Sequence, residues 1–202
     1  MNPDSVAEVR MYRNLVVLSF AFVGLAAAAG QAVDTALLAK AKGGDPAAQV
    51  AVGEQYARIA GAAQDPDDAA DDWKQSADWY RRAAEQGDVP GEIHYAECYR
   101  DGRGVGRDMS KAAEWYRKAA DQGDPSAQGT LAMLYSMGQG VPQSDVDAYF
   151  WFDLAAEVPS PNRERYVTNR QNVGTRITGD DLEAIRKREK QWKAAHPRGE
   201  QR

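Results

Sequence analysis

The stretch Trp115-Tyr116-Arg117-Lys118-Ala119-Ala120-Asp121-Gln122-Gly123-Asp124-Pro125 reads as the end of one helix, a tight turn and the start of the next. Trp115, Tyr116, Ala119 and Ala120 share one helical face, because residues three and four apart stack above one another. Gly123 supplies the left-handed residue that closes a helix C-terminus, with no Cβ to clash. Asp124 is placed to cap the next helix, and Pro125 suits a first helical position, where no amide donor is needed. The same phrase stands at Trp79 to Asp88, and a degraded copy begins at Trp151. Trp79, Trp115 and Trp151 are spaced 36 residues apart, the signature of a helical repeat array.

Working outward gives three repeats, 45–87, 88–123 and 124–158. In the first, Ala48, Val52 and Tyr56 line one helix, and Trp79, Tyr80, Ala83 and Ala84 line the other. Tyr56 to Trp79 spans 23 residues against 16 from Tyr99 to Trp115, so this repeat carries a seven-residue insertion. The insertion holds Asp65-Pro66-Asp67-Asp68 and Asp71-Asp72. That density of carboxylates suits calcium, but the run has no turn glycine, and Ser76 stands where a ligand carboxylate is expected. Acidic residues offsetting a helix dipole are the simpler reading.

The second repeat buries Tyr95, Cys98 and Tyr99 and turns at Gly102-Arg103-Gly104-Val105, with Val105 pointing inward. Its outer face offers Glu114–Lys118 and Arg117–Asp121 as i,i+4 pairs, as the first repeat offers Asp78–Arg82 and Arg81–Glu85. The third repeat keeps Ala127, Leu131, Leu134, Tyr135, Gly138, Gly140 and Val141. Phe150 and Leu154, however, stand where the second repeat has Glu114 and Lys118. An apolar face at the end of an array must be covered.

Residues 159–202 are expected to supply that cover as two helices. Ser160 would cap the first, with Pro161 in its first turn. Thr178 and Asp181 have capping-box spacing before the second. Leu182, Ile185, Trp192 and Ala195 give that helix an apolar side, and Arg186, Lys187, Arg188 and Lys190 decorate the rest. At the other end, residues 33–44 form a short capping helix.

Residues 1–32 have the order of an export signal. Arg10 and Arg13 precede an uncharged run from Leu15, and small residues Ala26 to Ala29 follow. Met11 is an alternative start. Cleavage after Ala29 or Ala32 predicts a periplasmic or secreted protein; the competing reading is an uncleaved membrane anchor.

Charge divides sharply along the chain. The whole carries a formal −5, but residues 33–158 hold 12 basic and 22 acidic residues, net −10, while residues 159–202 hold 11 and 6, net +5. An acidic repeat region disfavours nucleic acid as a partner. A lone cysteine, Cys98, excludes an intrachain disulfide framework and falls at a core position.

The chain from Lys111 to Gly123, together with the Gly102-Arg103-Gly104-Val105 turn, resembles the Sel-one-like repeat family, relatives of the tetratricopeptide hairpins. The resemblance covers about residues 45–158. Its departures are Ile59 in place of the turn glycine, and Ser144 and Asp147 where the family prefers Asp and Lys. It implies an all-α fold, a right-handed α/α superhelix (solenoid) of three helical hairpins with N- and C-terminal capping helices. It also implies a concave surface, lined by first helices, that binds a protein or peptide. Some cysteine-rich exported relatives are described as binding or hydrolysing β-lactams, but their disulfide pattern is missing here.

Chemistry is sparse. The two histidines, His94 and His196, are far apart in sequence, and no Cys/His grouping has zinc spacing. No Ser-x-x-Lys motif occurs, and no Gly-rich loop follows a strand. Gly102-x-Gly104 recurs as Gly138-x-Gly140 at the repeat period, which makes it a structural turn. The expectation is therefore a non-enzymatic, monomeric protein without cofactor or metal.

First-helix positions that the core leaves free mark the candidate binding surface. They are Gln49, Ala51, Glu54, Ala57 and Arg58, then Glu92, His94, Glu97, Arg100 and Asp101, then Gln128, Thr130, Met133, Ser136 and Met137. This surface would be acidic at one end and methionine-bearing at the other, and methionine suits an adaptable apolar contact. Two functions follow: an exported protein-binding scaffold, or an envelope factor held at the membrane surface by its N-terminal segment or its basic C-terminal helix.

Overall fold

The computed structural model describes residues 33–64 and 66–196; the signal-like segment lies outside them. Every regular element among the described residues is a helix. In order they are α1 (Thr35–Lys42), α2 (Pro46–Ala62), α3 (Pro66–Glu85), α4 (Val89–Asp101), α5 (Met109–Asp121), α6 (Pro125–Met137), α7 (Asp145–Glu157), α8 (Arg163–Gly174) and α9 (Gly179–Ala195). Each helix from α2 to α7 packs on its successor in the chain, and α9 returns to pack on α7. The result is an all-α helical-repeat solenoid.

The joints between repeats are built as the quoted phrase predicts. Asp45, Asp88 and Asp124 take extended backbone, and their carboxylates accept the N–H groups of Ala48, Gly91 and Ala127 at 2.9, 2.9 and 2.8 Å. Each cap is worth about 1 kcal/mol. The glycines before them, Gly44, Gly87 and Gly123, have positive φ. Inside the repeats, the second glycine of the Gly-x-Gly-Val turn is fixed by contact as well as by φ. A Cβ on Gly104 would stand 2.1 Å from the Trp73 carbonyl oxygen, and one on Gly140 would stand 2.1 Å from that of Met109. The turn lies directly against the backbone of the neighbouring second helix.

The insertion does not form a loop. It lengthens α3 to 20 residues against 13 for α5 and α7, at its N-terminal end, and α2 is also longer, at 17 residues against 13 for α4 and α6. Asp71 pairs with Lys74 at 2.9 Å in α3.

Three apolar clusters fill the array, and the largest gathers the third repeat together with α8 and α9. Phe150 and Leu154 are fully buried in it beside Tyr166, Val173 and Ile185. Burying one such side chain contributes about 1.5–3 kcal/mol. The Arg188 guanidinium lies 3.9 Å over the Phe150 ring, completing the cover. The change of charge sign along the chain also has an explanation here. The four acidic residues of α7 each meet a base from the C-terminal segment: Asp145 with Arg176, Asp147 with Arg188 at 2.6 Å, Asp153 with Arg170, and Glu157 with Lys193.

Some local expectations need correction. Ser160 does not cap α8; the N-cap is Asn162, without a side-chain bond, because Pro161 and Asn162 form a turn closed by Arg163 N–H donating to the Ser160 carbonyl at 3.1 Å. The Asp78–Arg82 and Arg81–Glu85 pairs form, each at 2.8 Å. In the second repeat the bases turn to aromatic rings instead. Lys118 sits 3.4 Å over Trp115, and Arg117 reaches the next repeat to donate to the Tyr135 hydroxyl and lie over Trp151. The Thr178–Asp181 capping box is present as read.

Candidate binding surface

Three of the expected surface residues are buried and structural. Gln49, Glu92 and Gln128 occupy one repeat position, four residues after the capping aspartate, and are 5 %, 3 % and 1 % exposed. The Gln49 and Gln128 amides each donate at 3.1 Å to a carbonyl eight residues earlier, that of Ala41 and of Ala120. On their acceptor side, Gln49 receives the Gln86 amide at 2.8 Å and Glu92 receives that of Gln122 at 2.9 Å. The corresponding place in the third repeat is Val158, so the Gln128 Oε1 is left without a partner. A polar residue at a regular first-helix position looks exposed in sequence. Here Gln49 and Gln128 tie a hairpin to the joint before it, and Glu92 ties one to the joint after it.

The remaining residues stay accessible or half-buried and divide into two zones. In the first, Glu54 and Arg58 of α2 are exposed. His94 of α4 lies between two carboxylates, with Nδ1 3.0 Å from Glu97 and Nε2 3.7 Å from Glu54. Its ring stacks on Tyr80 with centroids 4.8 Å apart. Tyr80 in turn packs on Gly53, where a Cβ would stand 2.7 Å from the ring. The hydrogen bond to Glu97 raises the His94 pKa above its ordinary value despite opposing burial, with Glu54 adding to the effect. Arg100 is committed internally. Its Nε and Nη2 donate to the Asp101 carboxylate at 2.8 and 3.0 Å, and its Nη1 donates to the Tyr116 hydroxyl at 3.0 Å.

The second zone is apolar. Met133 and Met137 of α6, 37 % and 50 % accessible, are the exposed large hydrophobic residues among those described. With Ser136, Phe152, Asn169, Asn172, Val173 and Arg176 they line a cleft of about 230 Å³. Thr130, one turn earlier, bonds back to the Ser126 carbonyl at 2.9 Å. Sequence reasoning missed the far wall. Asn169, Asn172 and Val173 belong to α8, which carries no repeat motif and was assigned to capping alone, although it follows α7 as each first helix follows a second.

The thiol of Cys98 is not activated. Burial pushes the Cys98 thiol up to about 12, so it stays protonated. Among the described residues, no group of three or more His, Cys, Asp or Glu side chains is placed to hold a metal ion. No helix there is long and apolar enough to cross a membrane.

Stacked helical hairpins with an accessible first-helix face define a repeat solenoid. The Sel1 repeat matches at residues 46–88, 90–124 and 125–158, and the chain belongs to that family. Proteins of the family generally act as protein-interaction scaffolds and are typically non-catalytic. Among solved structures, the chain is similar to c5321, a protective antigen present in uropathogenic Escherichia coli strains that displays an SLR fold. The TM-score is 0.67 at 28% identity, over 79% of this chain and 32% of that one. The chain therefore spans about a third of that protein's length. A Sel1 repeat protein from Oxalobacter formigenes matches with a TM-score of 0.54 at 30% identity, over 66% of this chain and 95% of that one. No curated protein matches the chain.

Proposed function

We propose that the protein is a non-catalytic scaffold, working after export, that receives a segment of a partner protein across its first-helix face. The Met133–Met137 cleft takes an apolar side chain of that segment. The observation that carries this is the concentration of exposed large apolar side chains at Met133 and Met137, beside the amides of Asn169 and Asn172. An apolar floor with a few polar groups at its rim is the usual build of a recognition cleft, and Asn side chains offer both donor and acceptor to a peptide backbone. The Glu54–His94–Glu97 zone adds charge that orients the segment rather than holds it.

The test is photo-crosslinking from position 172, on the far wall of the cleft, in an envelope extract, with and without Met133→Asp/Met137→Asp. One dominant adduct that the double substitution abolishes is expected; the same adducts from both proteins would refute the cleft. The mature N-terminus is expected near Gly30 or Val33, and retention of the segment before them would favour the anchored alternative. Pairing of Arg170, Arg176, Arg188 and Lys193 with α7 leaves less of the basic C-terminal charge for a lipid surface, which favours the scaffold reading.

A further inference from the structure

The buried stripe of α9 contains an acid. Ile185 and Trp192 line the side of the helix that meets α7, and Glu189, four residues after one and three before the other, falls between them. Glu189 is 8 % exposed, and its Oε1 has no hydrogen-bond partner. The group facing it from α7 is a second acid, Asp153, which is itself paired with Arg170 of α8. The other charges around Glu189 are Glu157 of α7 and Lys193 of α9, bound to one another. The indoles of Trp151 and Trp192 meet edge to face at 6.3 Å, and the N–H of each is buried without a partner. Among these groups the cation, Lys193, bonds to Glu157 and only partly offsets the charge of an ionised Glu189.

A buried carboxyl beside a carboxylate fits only with its proton, which lets it donate a hydrogen bond where an ionised group would repel. We propose that Glu189 is a proton-operated latch: protonated, it holds the C-terminal helix α9 closed over α7, and on ionising it releases that helix from the rest of the array. Release uncovers the apolar side of α7 around Phe150 and Trp151. Because α9 ends the described fold and packs mainly on α7, it leaves without unthreading another element.

Burial, followed by the facing Asp153, holds the Glu189 carboxyl well above the ordinary carboxylate range. A raised value means that the stabilisation is complete at acid pH and is lost as pH rises through that value. The neighbouring Asp147–Arg188 pair does not change in the same direction. Burial would raise Asp147, but its bonds from Arg188 and Ser144 hold it below the ordinary range, so that pair stays charged. Half-exposed pairs of this kind hold a helix only weakly.

Hydrogen exchange of the full chain tests the latch, comparing wild type, Glu189→Gln and Asp153→Asn at matched pH from about 5 to about 10. In the wild type, α9 amides are expected to lose at least about tenfold protection relative to Glu189→Gln above neutral pH, while α2–α6 amides keep theirs. Asp153→Asn frees Arg170 for the ionised Glu189 and is expected to keep α9 closed as Glu189→Gln does. Equal α9 protection in wild type and Glu189→Gln across the range would overturn the proposal. So would a loss spread evenly through the repeats, or lower α9 protection in Glu189→Gln at every pH.

Discussion

Glu92→Gln is expected to stabilise the protein, although it removes a charge that accepts a hydrogen bond. Position 92 is the only one of the three equivalent sites without an amide. The Ala84 carbonyl there accepts the Gly87 N–H at 3.0 Å, as those of Ala41 and Ala120 accept Gly44 and Gly123. A carboxylate has no N–H to add as Gln49 and Gln128 do. Supplying it adds one buried hydrogen bond, worth about 0.5–1.5 kcal/mol. Against this, the Gln122–Glu92 bond loses its charge assistance, which costs a similar amount. The balance is decided by desolvation: burial raises the Glu92 pKa even though Gln122 opposes it, so the fold favours an uncharged group there. A net gain of about 1 kcal/mol at neutral pH follows, or roughly 2–4 °C in Tm for a chain of this size. The raised value also fixes the pH dependence, because the wild type loses stability as pH rises through it. Thermal melts from about pH 4 to about pH 8 should show the variant's advantage widening with pH. An advantage that is absent at neutral pH, or constant across the range, would refute the argument.

Two further outcomes can be measured directly. Leu154→Ala removes a fully buried side chain between the last repeat and its cover and should cost about 2–5 kcal/mol in urea unfolding; a loss under about 1 kcal/mol would mean that the seam collapses onto the cavity. The His94 ring should titrate above 6.5 by NMR in the wild type and fall back toward it in Glu97→Gln, because the bond to Glu97 leads the shift. That histidine stabilises the fold below its ordinary value and ceases to as pH rises through the raised one, so an unchanged titration in Glu97→Gln would remove Glu97 as the cause.

The helical array was legible because its signals are local and repeat. An aspartate cap, a glycine joint and a proline at the first turn each act within a few residues, and three copies place them beyond chance. The need to cover Phe150 and Leu154 was legible for the same reason, as a break in a known pattern. The candidate surface was read less well. Gln49, Glu92 and Gln128 were counted as free because a polar residue on a helix is normally solvated, and their partners lie 8, 30 and 37 residues away, where no local pattern points. Asn169 and Asn172 were missed because α8 has lost the repeat motif while keeping the first-helix position. Glu189 did leave a trace: its spacing from Ile185 and Trp192 sets it on the apolar stripe, though charge alone assigns it to the outside.

The uneven distribution of the core bears on how the array responds to force. Its largest cluster ties the third repeat to α8 and α9, whereas α1 contributes Ala41 as its buried residue at the opposite end. The first two repeats share the cluster of Tyr80, Ala83, Tyr95 and Cys98, and the second and third share Arg117 lying over Trp151. A solenoid joined in this way is a graded spring, and tension applied at its two ends should peel α1 away before any repeat opens. A partner pulled along the first-helix face would then be resisted mainly by the C-terminal half, where the methionines sit.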